Sequence, residues 1–89
     1  MMNFGEALEA VKSGKRIVRT GWNGKGQFVI KAGGYKVSEP RPDSDYAKAG
    51  IKGNFEIAPH LDLKNAQDVM QPGWSPSQGD LFAEDWIVV

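Results

Sequence analysis

The sequence predicts an α+β domain, an N-terminal helix packed on an antiparallel β-sheet with a short helical turn before the C-terminal strand. Three observations carry this expectation. Apolar residues recur at helical spacing at the start of the chain. Short runs rich in β-branched and aromatic residues then alternate with Gly, Pro and Asn turn signals. Near the end, a capping Ser precedes a second helical pattern and a plain apolar run. All 89 residues make one domain, 1–89, with no room for a second core. A chain of this size buries only roughly 60–65% of its unfolded surface.

Asn3-Phe4-Gly5-Glu6 has the form of a capping box, with Asn3 as N-cap and Glu6 reaching back to it. Phe4, Ala7, Leu8 and Val11 form one stripe, and Gly14 stands where a left-handed C-cap residue belongs, so a helix is predicted over 3–13. Arg16–Thr20 and Gln27–Lys31 read as strands, with Arg19 facing solvent. Between them lies Thr20-Gly21-Trp22-Asn23-Gly24-Lys25-Gly26, where Asn-Gly signals a tight hairpin turn because both residues tolerate positive φ. Tyr35–Val37 reads as a brief strand, and 38–53 as a long loop poor in apolar residues. Asn54–Ala58 is the next strand, confined to an edge or an end by Pro59. His60–Lys64 alternates with Leu61 and Leu63 inward; 65–68 is a turn, and Val69-Met70 continues pairing before Pro72-Gly73 stops it. Ser77 caps a short helix with Asp80 at its third position, Leu81, Phe82 and Trp86 supply the apolar side, and Ile87–Val89 is the last strand.

With no cysteine and a single histidine, disulfides, thiolate metal sites and a His-rich metal site within one chain are excluded. Eleven basic and eleven acidic residues cancel, which argues against a polyanion binder driven by bulk charge, hence no nucleic acid polymer as partner. Near-zero net charge and a small core favour a homo-oligomer. There is no signal peptide pattern and no apolar run long enough to span a bilayer, so the expectation is a cytoplasmic protein without a membrane partner.

Candidate chemistry is sparse. His60 and Asp62 share a strand face and could act as base and orienter, although a lone His beside Pro is more often structural, and no nucleophile pairs with it. Asp80, Glu84 and Asp85 suit capping or surface roles better than a metal site; no catalytic residue, metal or cofactor is assigned. The tryptophans say more. Trp86 is a core candidate, whereas Trp22 and Trp74 lie among Gly, Pro and Ser, where aromatic rings stack on planar ligands such as nucleobases. The competing reading of Trp22 is a ring that folds back to plug the end of the sheet.

The opening Asn3–Ala10 with Lys12-x-Gly14-Lys15, the Arg19-x-Gly21-Trp22-Asn23-Gly24-Lys25-Gly26 turn, Pro59–Lys64, and Ser75-x-Ser77-Gln78-x-Asp80-Leu81-x-Ala83-Glu84-Asp85-Trp86 resemble the Thoeris anti-defence two-like family of phage and prophage proteins. The resemblance runs nearly end to end and is weakest at 38–53. It implies a sponge that binds cyclic nucleotide-type immune signals, notably glycocyclic ADP-ribose and in some relatives cyclic dinucleotides, without cleaving them. It further implies homotetramers with pockets at subunit interfaces, acting in the bacterial host cytoplasm. Within that frame Trp22 or Trp74 would stack on adenine. Gly24 and the neighbouring amides, with Asn23, Lys25 or Arg19, would meet the diphosphate. Ser77, Gln78 and Asp80 would bond ribose hydroxyls. The alternatives are a nucleotide-processing enzyme centred on His60 and Asp62, and a phage protein-binding factor acting through 38–53.

Overall fold

Helix α1 (Phe4–Lys12) starts and stops where the sequence caps it, in a computed structural model that describes residues 1–89. The Asn3 carboxamide oxygen accepts the Glu6 N–H at 2.9 Å, and the Glu6 carboxylate accepts the Asn3 N–H at 3.1 Å. At the far end Lys15 N–H donates to Ala10 O and Gly14 N–H to Val11 O, a Schellman closure that needs the φ of +101° at Gly14.

Five antiparallel strands form the main sheet: β1 (Ile17–Arg19), β2 (Phe28–Ala32), β5 (His60–Lys64), β6 (Met70–Pro72) and β7 (Trp86–Val88). Their order is β6-β5-β2-β1-β7, which makes β2 the central strand and leaves Pro72 on an edge, where a missing N–H costs no ladder bond. Ile17 pairs with Val29 and Val88, and Val29 with Leu63, so these side chains share one face. Helix α1 lies on that face against β7, β1 and β2. Ala7, Val11, Ile17, Val29 and Trp86 are fully buried between them, with Leu61 and Leu63 packed alongside. Alternation sends Val18, Phe28, Ile30 and Ile87 to the other face, half-buried, with no helix or strand laid across it.

Strands β3 (Tyr35–Val37) and β4 (Phe55–Ile57) pair only with each other, as a separate two-stranded arm. The 38–53 segment closes its tip and is more ordered than the expected loop. Ser44 caps a short helix α2 (Asp45–Lys48), and the Tyr46 ring lies 5.2 Å from Phe55. Local capping and one aromatic contact suffice for a single helical turn that apolar patterning does not reveal. The arm gives the chain extents of 43 × 26 × 22 Å and a radius of gyration of 15.3 Å, against about 12 Å for a compact chain of this length.

Two further expectations are corrected. Strands β1 and β2 do pair, but through a connection over 20–27 rather than a tight Asn23-Gly24 turn; positive φ falls at Gly26 (+74°), not at Asn23 or Gly24. The wider loop is what lets Trp22 turn inward. The apolar side of the last helix, α3 (Gln78–Phe82), is also misassigned. Phe82 is 82% exposed and Leu81 39% exposed, while the buried member of the helix is Asp80. Each residue turns about 100° around a helix, so fixing Asp80 inward rotates Leu81 and Phe82 away.

Candidate functional site

Asp80 gathers the site around one carboxylate. Ser77 caps α3 by accepting the Asp80 N–H on its hydroxyl at 3.0 Å, and its own N–H donates back to Asp80 Oδ2 at 3.0 Å. Asp80 Oδ1 accepts the Arg19 Nη1–H at 2.9 Å and the Trp22 Nε1–H at 3.1 Å. Its backbone oxygen accepts the Trp86 Nε1–H at 3.0 Å. Arg19 is therefore not solvent-facing as expected. From the end of β1 it reaches Asp80 with one nitrogen and Asp85 with another, Nε lying 2.8 Å from Asp85 Oδ1. Asp85 Oδ2 in turn accepts the Gly21 N–H at 2.8 Å, a close approach open to glycine because a Cβ there would lie 2.8 Å from that same oxygen. The 20–22 turn, α3 and the start of β7 are thus tied by one ionic network.

These ties set three carboxylate and guanidinium pKa values away from their usual range. Burial pushes the Asp80 carboxyl up, but the Ser77 N–H, Arg19 and Trp22 together outweigh it and hold it below the ordinary carboxylate value. Asp85 is held low chiefly by the Arg19 hydrogen bond, and Arg19 is raised by Asp80 and then Asp85. Both carboxylates are more acidic folded than unfolded. Their contribution is therefore complete above the unfolded pKa near 4 and is lost as pH falls through the lower folded values. Melting temperatures from about pH 7 down to about pH 3 test this: Asp85→Asn should melt below the wild type at neutral pH, and the two curves should converge in acid. A constant gap at all pH values would mean that the Asp85 charge is not what matters.

Trp22 is central to an edge-to-face aromatic chain. Its ring centroid lies 5.3 Å from Trp86 at 77° and 5.9 Å from Trp74 at 75°, while Phe4 meets Trp86 from the far side at 5.5 Å. Beyond Trp22 the surface opens into a cleft of about 240 Å³ lined by Trp22, Asn23, Gly24, Gln27, Leu63, Trp74 and Asp80. Five of the residues singled out from the sequence line it: Trp22, Asn23, Gly24, Trp74 and Asp80. Arg19 stands behind Asp80, and Lys25, Ser77 and Gln78 are exposed outside the lining. Trp22 thus plugs the core with one edge and walls the cleft with another surface. Gln27 was not anticipated; its side-chain N–H donates to Gly24 O at 3.2 Å, and nothing in its sequence setting marks it. Larger depressions of about 410 Å³ on the arm are lined chiefly by polar and small residues, a poorer match to a flat ring.

His60 and Asp62 do come together, with Nε2 3.2 Å from Asp62 Oδ1. The other ring nitrogen, Nδ1, lies 2.7 Å from Ala58 O. Each nitrogen thus lies within hydrogen-bond reach of an acceptor oxygen, and whichever carries the hydrogen donates to its neighbour, an arrangement that braces the end of β5.

The chain is similar in sequence to known proteins along nearly its whole length. The Tad2-like family, described as the Thoeris anti-defense 2-like domain, matches residues 2–89. Thoeris anti-defense 2 of Bacillus phage SP01 is 37% identical over 90 aligned residues, which cover 99% of this chain and 94% of the phage protein.

Proposed function

Because the chain belongs to the Thoeris anti-defense 2-like family, we propose that it is an anti-defence sponge that binds a cyclic nucleotide-type immune signal and withholds it from its effector without cleaving it. The observation that carries this reading is the tryptophan cleft. Two indole rings offer apolar walls, and Asn23 and Gln27 place amide donors and acceptors beside them. Exposed Lys25 can reach a phosphate from the rim. Ser77 and Gln78 lie on the same segment as Asp80 and suit ribose hydroxyls. Asp80, whose oxygens already accept from Arg19, Trp22 and Ser77, acts by holding Trp22 in place.

At about 240 Å³ the cleft falls below the roughly 300–1,000 Å³ of ordinary small-molecule sites. A nucleotide-sized signal needs a second wall, and a neighbouring subunit of a homo-oligomer, a tetramer in the fullest form of this reading, supplies one. Sequestration then depends on slow release rather than on chemistry.

The test is a mass balance. Purified protein is incubated with glycocyclic ADP-ribose or with cyclic dinucleotides, the filtrate is assayed, and the retained fraction is heat-denatured and assayed again. The expected result is ligand that vanishes from the filtrate and returns unaltered. Ligand that returns altered would make the protein an enzyme, and ligand that never leaves the filtrate would reject capture.

A further inference from the structure

We propose that Asn23 deamidates spontaneously in the folded protein, turning a neutral lip of the tryptophan cleft into a carboxylate and setting a working lifetime for the site. The modification stands on the loop geometry alone; its effect on capture rests on the sponge reading.

The chain holds four asparagines, and only Asn23 is followed by glycine. The other three are restrained or shielded. Asn3 Oδ1 accepts the Glu6 N–H at the cap of α1. Asn65 Oδ1 accepts the N–H groups of Gln67 and Val69 at 2.9 and 3.0 Å. Asn54 is followed by the half-buried Phe55 of β4, whose side chain crowds the peptide nitrogen between them. Asn23 differs on every count. It is exposed, its side chain makes no hydrogen bond within the chain, and the Gly24 N–H donates none. A tight Asn-Gly turn would have locked both residues between the strand ends; the wider connection leaves them outside any helix or strand. With no Cβ, Gly24 puts nothing in the way of its own nitrogen.

These conditions suit an intramolecular acyl transfer. The Gly24 nitrogen gives its proton to solvent and attacks Asn23 Cγ. The new N–Cγ bond closes a five-membered imide, the Cγ–Nδ2 bond breaks, and the side-chain nitrogen takes a proton from water and leaves as ammonia. Water then adds to one of the two imide carbonyl carbons, and the bond from that carbon to the ring nitrogen breaks. Opening at Cγ gives aspartate. Opening at the backbone carbonyl gives isoaspartate, whose main chain runs through Cγ. The sum is amide plus water to carboxylate plus ammonium, with no oxidant, reductant or other reactant. Nucleophile and carbonyl sit on adjacent residues, so the chain itself supplies proximity.

The product matters because of where it lies. Asn23 lines the cleft together with Asp80. Arg19 is already shared between Asp80 and Asp85, one cation against two carboxylates. A further carboxylate repels the phosphates of a bound signal, which at a separation of about 4 Å weakens capture about 5-fold even at the dielectric constant of water. Isoaspartate also adds a main-chain carbon ahead of Gly24, whose oxygen accepts the Gln27 side chain at 3.2 Å, and so displaces the second amide of the cleft.

The test ages the purified full chain in warm, mildly alkaline buffer and maps its peptides by mass spectrometry. The expected result is a gain of about 1 Da on the peptide holding Asn23. Ammonia is released to match, part of the product is isoaspartate, and Asn3, Asn54 and Asn65 stay unchanged. Asn23→Gln, which would have to close a larger ring, should show no gain at that position. An Asn23 that keeps its amide overturns the proposal, as do other asparagines that deamidate equally fast. Capture of glycocyclic ADP-ribose is then compared for fresh chain, aged chain and Asn23→Asp. The last two should bind about 5-fold more weakly or worse, by a margin that narrows as salt rises. Aged protein that captures like fresh protein overturns the lifetime. Fresh protein that captures nothing rejects the sponge and the lifetime with it, while the mass gain still decides the modification.

Discussion

Asp80→Ala is expected to lower folding stability by about 2–4 kcal/mol, the range for breaking a buried, multiply bonded carboxylate. The substitution removes the acceptor of the Trp22 indole N–H, of Arg19 Nη1 and of the Ser77 N–H at once. Arg19 keeps Asp85, which limits the penalty for its charge. The Trp22 indole N–H and the Ser77 N–H have no such substitute, although the Ser77 hydroxyl still caps α3 by accepting the backbone N–H of residue 80. In a domain of this size each kcal/mol shifts the melting temperature by about 4–8 °C, so a fall of about 8–32 °C is the observable. Asp80→Asn should fall between: its amide oxygen can still accept from Trp22 and Arg19, but its NH₂ then confronts the Ser77 N–H, donor against donor. Glu84→Gln, an exposed neighbour, serves as control and should change little. If Asp80→Ala melts with the wild type, the network is a surface ornament and α3 is held by packing alone.

How much of this was legible in the sequence follows from the range of each interaction. The α1 caps and stripe, the strand pairs on either side of 20–27, and the burial of Trp86 all rest on residues a few positions apart or on strong apolar patterning, and the structure bears them out. The Arg19–Asp80–Asp85 network joins residues separated by 61 and 66 positions. In sequence such charges look like any solvated surface, so Arg19 reads as outward and the apolar Leu81 and Phe82 as inward. The same blindness hid Gln27, whose role depends only on where the loop folds back. The cleft itself was half legible: the setting of Trp22 and Trp74 among turn residues marked a place where rings stand clear of the core. It could not show that Trp22 serves both core and cleft.

That double service makes Trp22 and Trp74 the decisive pair for function. Trp22→Ala removes a ring packed edge-on against both Trp86 and Trp74, and a cost of about 3 kcal/mol or more is expected because the core it caps has few other members. Loss of ligand capture by Trp22→Ala would therefore not separate stacking from unfolding. Trp74→Ala does. Trp74 meets Trp22 at the outer end of the aromatic chain, so its removal should cost less stability. If a base stacks there, the lost contact of about 1–3 kcal/mol weakens capture roughly 5- to 150-fold. Trp22→Phe completes the set by keeping an aromatic face while deleting the indole N–H to Asp80. It should retain most binding if stacking dominates, at a stability cost of about 1.5–3 kcal/mol for one lost hydrogen bond to a carboxylate oxygen that keeps Arg19. Calorimetric titration of the signal molecule, with a thermal melt of each variant, gives both quantities. A folded Trp74→Ala that binds as tightly as the wild type would move the site away from the cleft, whatever Trp22→Ala does.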